Sequence, residues 1–146
     1  MTDINDEVKL ETFVVPQLGG TPYYGFAVQV HAALLDAGQS TPHDPMVEPG
    51  DSAIVARVGD QTVGMISYRA YIPNRSLLVC LAFVLPDWRR RGIFGHMFAG
   101  VIKAAERAGC PRIQAVSMVN NVAFNKVAAA SGVRAVATVY QMDLDV

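Results

Sequence analysis

The chain has little of what usually betrays a function. Only two of its 146 residues are cysteines and one is tryptophan. Cys80 and Cys110 have no CxxC spacing and no cluster of histidines nearby, so buried free thiols are expected, with no disulfide and no metal site. There is no run of about eighteen apolar residues, and the amino terminus, MTDINDEVKL, is acidic and polar where a secretory signal would be basic and then apolar. A soluble, cytoplasmic protein with no membrane partner is the expectation. A formal net charge of −1 leaves no broad basic face and argues against a nucleic-acid binder. The phosphate-binding patterns GxxxxGK(S/T) and GxGxxG, internal repeats and low-complexity segments are all missing.

What is present is a chain with 51% hydrophobic residues, enough for one compact core, so residues 1–146 are read as a single domain. In TPYYGFAVQVHAALLDAG, Thr21 and Pro22 form a helix start, Ala27, Val30, Leu34 and Leu35 repeat at helical spacing, and Gly38 closes the segment. Residues 39–51, QSTPHDPMVEPGD, read as a surface loop that could shape a pocket. SAIVARV and QTVGMISYRAY flank Gly59 and Asp60 as two strands of a hairpin. SLLVCLAFVL, bounded by a turn and by Pro86, reads as a strand covered on both faces. Beyond it, Phe94, Met97, Phe98, Val101, Ala105 and Ala108 share one side of a helix and Lys103, Glu106 and Arg107 the other, with Gly109 as stop. PRIQAVSM predicts a short strand, NVAFNKVAAASG a helix ended by Gly132, and VRAVATVYQMDL a final strand. The order is helix, three strands, helix, strand, helix, strand: an α/β fold with a mixed sheet.

Between the buried strand and its helix stands VLPDWRRRGIFGHMF, which holds three of the chain's twelve lysines and arginines. A strand ending at Pro86 and a helix starting near Arg91 or Gly92 aim free helix N–H groups out of the strand's carboxyl end, where the helix dipole favours an anion. Gly92 lets a ligand's phosphates approach the backbone, and the arginines add charge and paired donors. A pyrophosphate cradle fits these features; a solvated corner between two core elements is the plainer alternative.

This stretch resembles the acetyl-CoA-binding signature of the GNAT superfamily of N-acetyltransferases, Gln/Arg-x-x-Gly-x-Gly/Ala after a strand and a Pro-acid-aromatic lead-in. Pro86, Asp87 and Trp88 match the lead-in, Arg89 the first position and Gly92 the central glycine. Phe94 stands where glycine or alanine is usual, with Gly95 one place late. A second pattern of the family, Asn-x-x-Ala/Ser-x-x-Leu/Phe-Tyr/Phe-x-x-x-Gly-Phe, is similar to NVAFNKVAAASGV, with Asn121, Val127, Gly132 and Val133 in corresponding places. The likeness runs from roughly Leu77 to Leu144, while the first seventy residues agree only in element order.

The resemblance implies a GNAT-like (acyl-CoA N-acyltransferase) fold, a mostly antiparallel mixed central sheet flanked by helices. It implies acetyl-CoA as acyl donor, no metal, and direct transfer to a primary amine of a small molecule or protein. The fourth strand would part from the fifth, with the pantetheine arm on the backbone of Leu81, Ala82, Phe83 and Val84. The pyrophosphate would lie on Arg89, Arg90, Arg91, Gly92, Ile93, Phe94 and Gly95, and Asn121 would face the cofactor. Dimerisation through the last strand is a habit of the family, which makes a homodimer an option here.

Attack by the amine needs a proton acceptor, and expulsion of the thiolate is helped by a proton donor. Relatives often place an acid on the fourth strand, where this chain has Ser76, Cys80 and apolar residues, and the tyrosine usual in the later helix is Ala128. Tyr24 and Tyr68 are the candidates for lining the acceptor pocket. Tyr23, beside Tyr24, could line the same pocket, and Tyr140 on the last strand is a further option; His96 is expected to face solvent, His31 and His43 have no visible partner, and no catalytic residue is assigned. Two other classes stay open: a catalytically degenerate acetyl-CoA-binding or regulatory domain of the same fold, and a phosphate-ligand or nucleic-acid module using the arginines alone, which leaves the Asn121 helix unexplained.

Overall fold

The computed structural model describes residues 7–14, 22–38, 50–116, 122–138 and 140–145. Five strands form one sheet in the order β1-β2-β3-β4-β5. They are β1 (Val8–Val14), β2 (Ser52–Val58), β3 (Gln61–Tyr71), β4 (Ser76–Val84) and β5 (Arg112–Ala115). The first four pair antiparallel, and β5 joins β4 in parallel. Three helices complete the described chain: α1 (Pro22–Asp36), α2 (Ile93–Ala108) and α3 (Val122–Ala130).

The β2–β3 hairpin turns at Gly59, whose φ of 57° is the left-handed conformation that glycine adopts without penalty. Alternation along the strands then divides the core in two. Ile54, Ile66, Leu77 and Val79 pack under α2 with Ile93, Met97, Val101 and Ala105. Ala53, Val55, Met65 and Leu81 pack under α1 with Ala27 and Val30. Gly100 lets α2 lie close, since a Cβ there would stand 2.7 Å from Ile54 Cδ1. At the β2–β3 end a buried ion pair links Arg69 to the Asp51 carboxylate at 2.9 Å. The carboxylate is almost completely shielded while the guanidinium keeps partial contact with water.

Two elements differ from the sequence expectation. Val8–Val14 is a strand where only a polar terminus was expected; all seven of its residues pair with β2, from Val8 opposite Val58 to Val14 opposite Ser52. This partner lies 38 to 50 residues further along the chain, from the Val14–Ser52 pair to the Val8–Val58 pair, so local pattern could not show it. Conversely, the described part of 133–145 forms no strand, and Val136, Tyr140, Met142 and Leu144 are exposed. The alternation is there, but no described strand edge is paired with it.

Candidate functional site

The site begins where β4 loses a neighbour. β5 pairs with β4 only from Ser76 to Val79, opposite Arg112 to Ala115. From Leu81 to Val84 the edge of β4 away from β3 therefore has no strand partner among the described residues. At the same point the register with β3 shifts by one residue: Ser67 faces Leu81 but Tyr68 faces Val79. One extra residue exchanges the two faces of a strand. Leu77 and Val79 accordingly look toward α2, whereas Leu81 and Phe83 look toward α1.

The chain leaves β4 through a tight turn. Leu85 N–H donates to Val63 O at 2.8 Å, and Trp88 N–H donates to Leu85 O at 2.9 Å. The three arginines that follow have three different surroundings. Arg89 turns back, donating from Nε to Val84 O at 2.8 Å with its guanidinium 5.2 Å from the centre of the Phe83 ring. Arg91 lies 4.5 Å over the Trp88 ring and donates to Asp87 O at 3.3 Å. Both contacts are of the cation–aromatic kind. Arg90 has no hydrogen-bond or ion-pair partner among the described residues. Its backbone φ of 63° is left-handed, as is the 81° of Gly92, and for arginine that conformation is strained.

Gly92 is the N-cap of α2 and supplies no side-chain cap. The first intrahelical bond is His96 N–H to Gly92 O, 3.1 Å, so the N–H groups of Ile93, Phe94 and Gly95 have no acceptor within the helix. His96 donates from Nδ1 to the same carbonyl at 2.7 Å, an arrangement that needs its proton on Nδ1. Helix polarity and an adjacent uncommitted arginine make this end of α2 receptive to an anion.

A cleft of about 580 Å³ extends from this point. One wall is Ala82, Phe83 and Val84 of β4 together with Arg89, Arg90 and the first turn of α2; the other comes from α3 through Phe124, Lys126, Val127 and Ala130. Leu34 of α1 and Trp88 also contribute. Phe94 stacks on Phe98, with ring centres 5.8 Å apart and planes 10° apart, and meets Phe124 edge-on at 6.2 Å and 87°. The bulky residue at the signature position is thus a bridge between α2 and α3. Among the described residues no aspartate or glutamate lines the cleft. Its apolar walls and cationic rim suit a long, flexible ligand with phosphates at one end.

Of the residues singled out by sequence, Ala82, Phe83, Val84, Arg89, Arg90, Gly92, Ile93, Phe94 and Gly95 all line this cleft. Arg91 does not; it is committed to the Trp88 corner. Asn121, His43 and residues 39–49 of the expected pocket loop lie outside the described residues, as does the side chain of Tyr24 on α1. Tyr68 is 7% exposed and belongs to the core under α2, away from the cleft lining. Tyr140 is almost fully exposed. His31 is half-buried, with Nε2 shielded and without a partner among the described residues. The sequence reading missed Phe124, Lys126, Val127 and Ala130. Phe124 had a signal, because it occupies the Ala/Ser position of the second family pattern. Lys126 had none beyond being a charged residue on a helix. Among the described residues no group of three or more His, Cys, Asp and Glu could hold a metal ion, and no helix is long and apolar enough to cross a membrane.

A mixed sheet whose fourth strand sheds its parallel neighbour just before an uncapped helix N-terminus is the architecture of the acyl-CoA N-acyltransferases. Residues 23–131 match the model of the acetyltransferase (GNAT) family, and the chain belongs to that family. No curated protein sequence matches it. Among solved structures, an aminoglycoside acetyltransferase from an uncultured soil metagenomic sample, in complex with sisomicin, superposes with a TM-score of 0.71 at 13% identity over 99% of both chains. The ribosomal-protein-alanine N-acetyltransferase of Brucella melitensis biovar Abortus gives 0.70 at 16% identity, covering 94% of this chain and 99% of that one. The aminoglycoside N-acetyltransferase AAC(6')-Iy in complex with CoA gives 0.66 at 16% identity over 95% of each chain. At such identities the likeness is one of fold.

Proposed function

We propose that the protein is an acetyl-CoA-dependent N-acetyltransferase that moves an acetyl group directly to a primary amine of a small molecule or protein. The observation that carries this reading is the β4 edge from Leu81 to Val84, beyond the reach of β5 and leading into the uncapped start of α2. An extended amide-bearing arm can bond to that edge like an added strand, while phosphates meet the N–H groups of Ile93, Phe94 and Gly95 and the Arg90 guanidinium. Family membership supports acyl transfer, and neighbours named for aminoglycoside and ribosomal-protein-alanine acetylation support an amine acceptor. The reading takes residues 1–146 as one cytoplasmic domain, with Tyr24 facing the acceptor and Asn121 the donor. It extends to a homodimer in which the exposed apolar residues of 133–145 are covered.

In this reaction the neutral amine attacks the thioester carbon, the carbon–sulfur bond breaks and the thiolate takes up a proton. By analogy with cysteine the thiol has a pKa of about 8.5, so its thiolate is a tolerable leaving group without help. This matters because the α3 residues on the cleft wall, Phe124, Lys126, Val127 and Ala130, carry no hydroxyl. General-acid assistance is typically worth about a hundredfold to ten-thousandfold, so slow turnover is expected. The same bareness favours a second reading, a domain that binds acetyl-CoA without transferring from it.

Thermal unfolding with acetyl-CoA, followed by assay of free CoA thiol with a pool of amines, tests both. Acetyl-CoA at about a hundred times its Kd should add about 2.7 kcal/mol of stability, with no shift from free acetate. Absence of any shift rejects the binding site. A shift without amine-dependent thiol release selects the non-catalytic reading.

A further inference from the structure

The cationic groups at the cleft do not form a single set. Arg89 and Arg91 are held by Val84 O and Phe83 and by Asp87 O and Trp88. That leaves Arg90 and Lys126 as the cleft-lining cations with no hydrogen-bond or ion-pair partner among the described residues. They come from different walls. Arg90 adjoins the start of α2, whereas Lys126 stands on α3. Among the described residues no carboxylate lines the cleft.

Coenzyme A carries its phosphates in two places: a pyrophosphate, and a monoester on the ribose separated from it by the sugar. The three unbonded N–H groups of α2 and Arg90 supply donors for the pyrophosphate. Lys126, on a separate helix, is a second cation beyond Arg90 and those N–H groups. We propose that Lys126 binds the ribose 3′-phosphate and makes the cleft prefer coenzyme A to forms lacking that group. A monoester phosphate holds about 1.5 to 2 negative charges near neutral pH, and a flexible ammonium with three donors is suited to meet a compact anion of that kind. Phe124, two residues earlier on the same helix, is fixed against Phe94. This anchors the α3 wall beside Lys126 and reduces the freedom that the lysine's backbone would lose on binding.

The proposal rests on the coenzyme A reading, and the measurement separates the two. Dissociation constants of coenzyme A and 3′-dephospho-coenzyme A would be measured by calorimetry for the wild type, Lys126→Gln and Arg90→Gln. Unchanged melting of the free Lys126→Gln protein, whose substitution is on the exposed surface, serves as the folding control. The wild type should prefer coenzyme A by about tenfold, the scale of one charge-assisted hydrogen bond at a partly exposed site. Lys126→Gln should remove that preference by weakening coenzyme A alone, while Arg90→Gln should weaken both ligands alike. Equal weakening of both by Lys126→Gln would place the lysine on the pyrophosphate and overturn the proposal, as would no effect on either. If the wild type binds both ligands without preference, Lys126 is not a 3′-phosphate group and the coenzyme A reading stands. If it binds neither, both fall.

Discussion

Ser76–Val84 and residues 133–145 are the two most apolar stretches that the sequence offers as strands in the carboxyl-terminal half, and they have opposite fates. The first is paired with β3 along its length and covered by α1 and α2. The second pairs with nothing in the described chain and leaves Tyr140 90%, Met142 82% and Leu144 71% exposed. Period-two alternation says which side chains would share a face once a strand is paired. It does not say which edge does the pairing. β4 has two edges and uses one and a half of them, and the unused half is the candidate donor site.

The widest separation between the two stretches should appear in their stability. Leu77 of the first stretch is buried under α2, so Leu77→Ala should destabilise by about 2–5 kcal/mol in urea unfolding. Met142→Ala in the exposed stretch should fall within about 0.5 kcal/mol when measured on the monomer. Comparable losses would mean that 133–145 is packed in solution and would remove the contrast.

The proposed homodimer sharpens the same contrast. If a second copy covers the exposed apolar residues, sedimentation at micromolar concentration should show a dimer that Tyr140→Lys with Leu144→Lys converts to monomer. Loss of the partner at about a hundred times the dimer Kd should lower apparent stability by about 2.7 kcal/mol. A wild-type monomer at all concentrations removes the proposal.

A smaller effect is expected where the core touches the cleft. A Cβ on Gly64 would meet Met97 Cε and Phe83 O at 3.3 Å and Val84 Cγ2 at 3.4 Å. Phe83 and Val84 form the cleft wall, and the carbonyl has little freedom to yield. Gly64→Ala should therefore cost about 1 kcal/mol, the lower end for overpacking, and weaken acetyl-CoA binding by calorimetry. Unaltered affinity would show that the wall absorbs the shift.

How much of this could be read from sequence follows from how local each cause is. The strand-to-helix junction at Pro86–Gly92 was legible because a strand, a turn, a glycine and a helix follow one another directly, and the anion-receptive end of α2 is a property of that order. The sorting of the three arginines was not, because it depends on where the Val84 carbonyl and the Trp88 ring come to rest. α1, β2, β3, β4 and α2 have caps, hairpin spacing or a strong apolar period of their own. β1 mixes Val8, Leu10, Phe13 and Val14 with Lys9, Glu11 and Thr12 and is fixed by β2, far along the chain. Lys126 belongs to the cleft only because α3 packs near α2 through Phe124 and Phe94, a contact between family positions usually held by small residues.

The smallest effect concerns backbone strain at the cradle. Among the described residues Arg90 and Arg75 are the non-glycine residues with positive φ, at 63° and 53°. A side chain in that region costs about 1–2 kcal/mol, and glycine removes the cost but loses about 0.5–1 kcal/mol through its greater freedom when unfolded. Arg90→Gly and Arg75→Gly should each therefore stabilise by a few tenths to about 1 kcal/mol in chemical unfolding. Arg75 donates to Gly109 O at 3.3 Å, a surface bond whose loss trims its gain. The two should part company on ligand. Arg75→Gly should bind acetyl-CoA as the wild type does, while Arg90→Gly should bind it more weakly although the free protein is more stable. That combination would show arginine kept at a strained position for its charge. Equal affinity in both variants would reduce Arg90 to a turn residue and return the cradle to the backbone N–H groups of α2 alone.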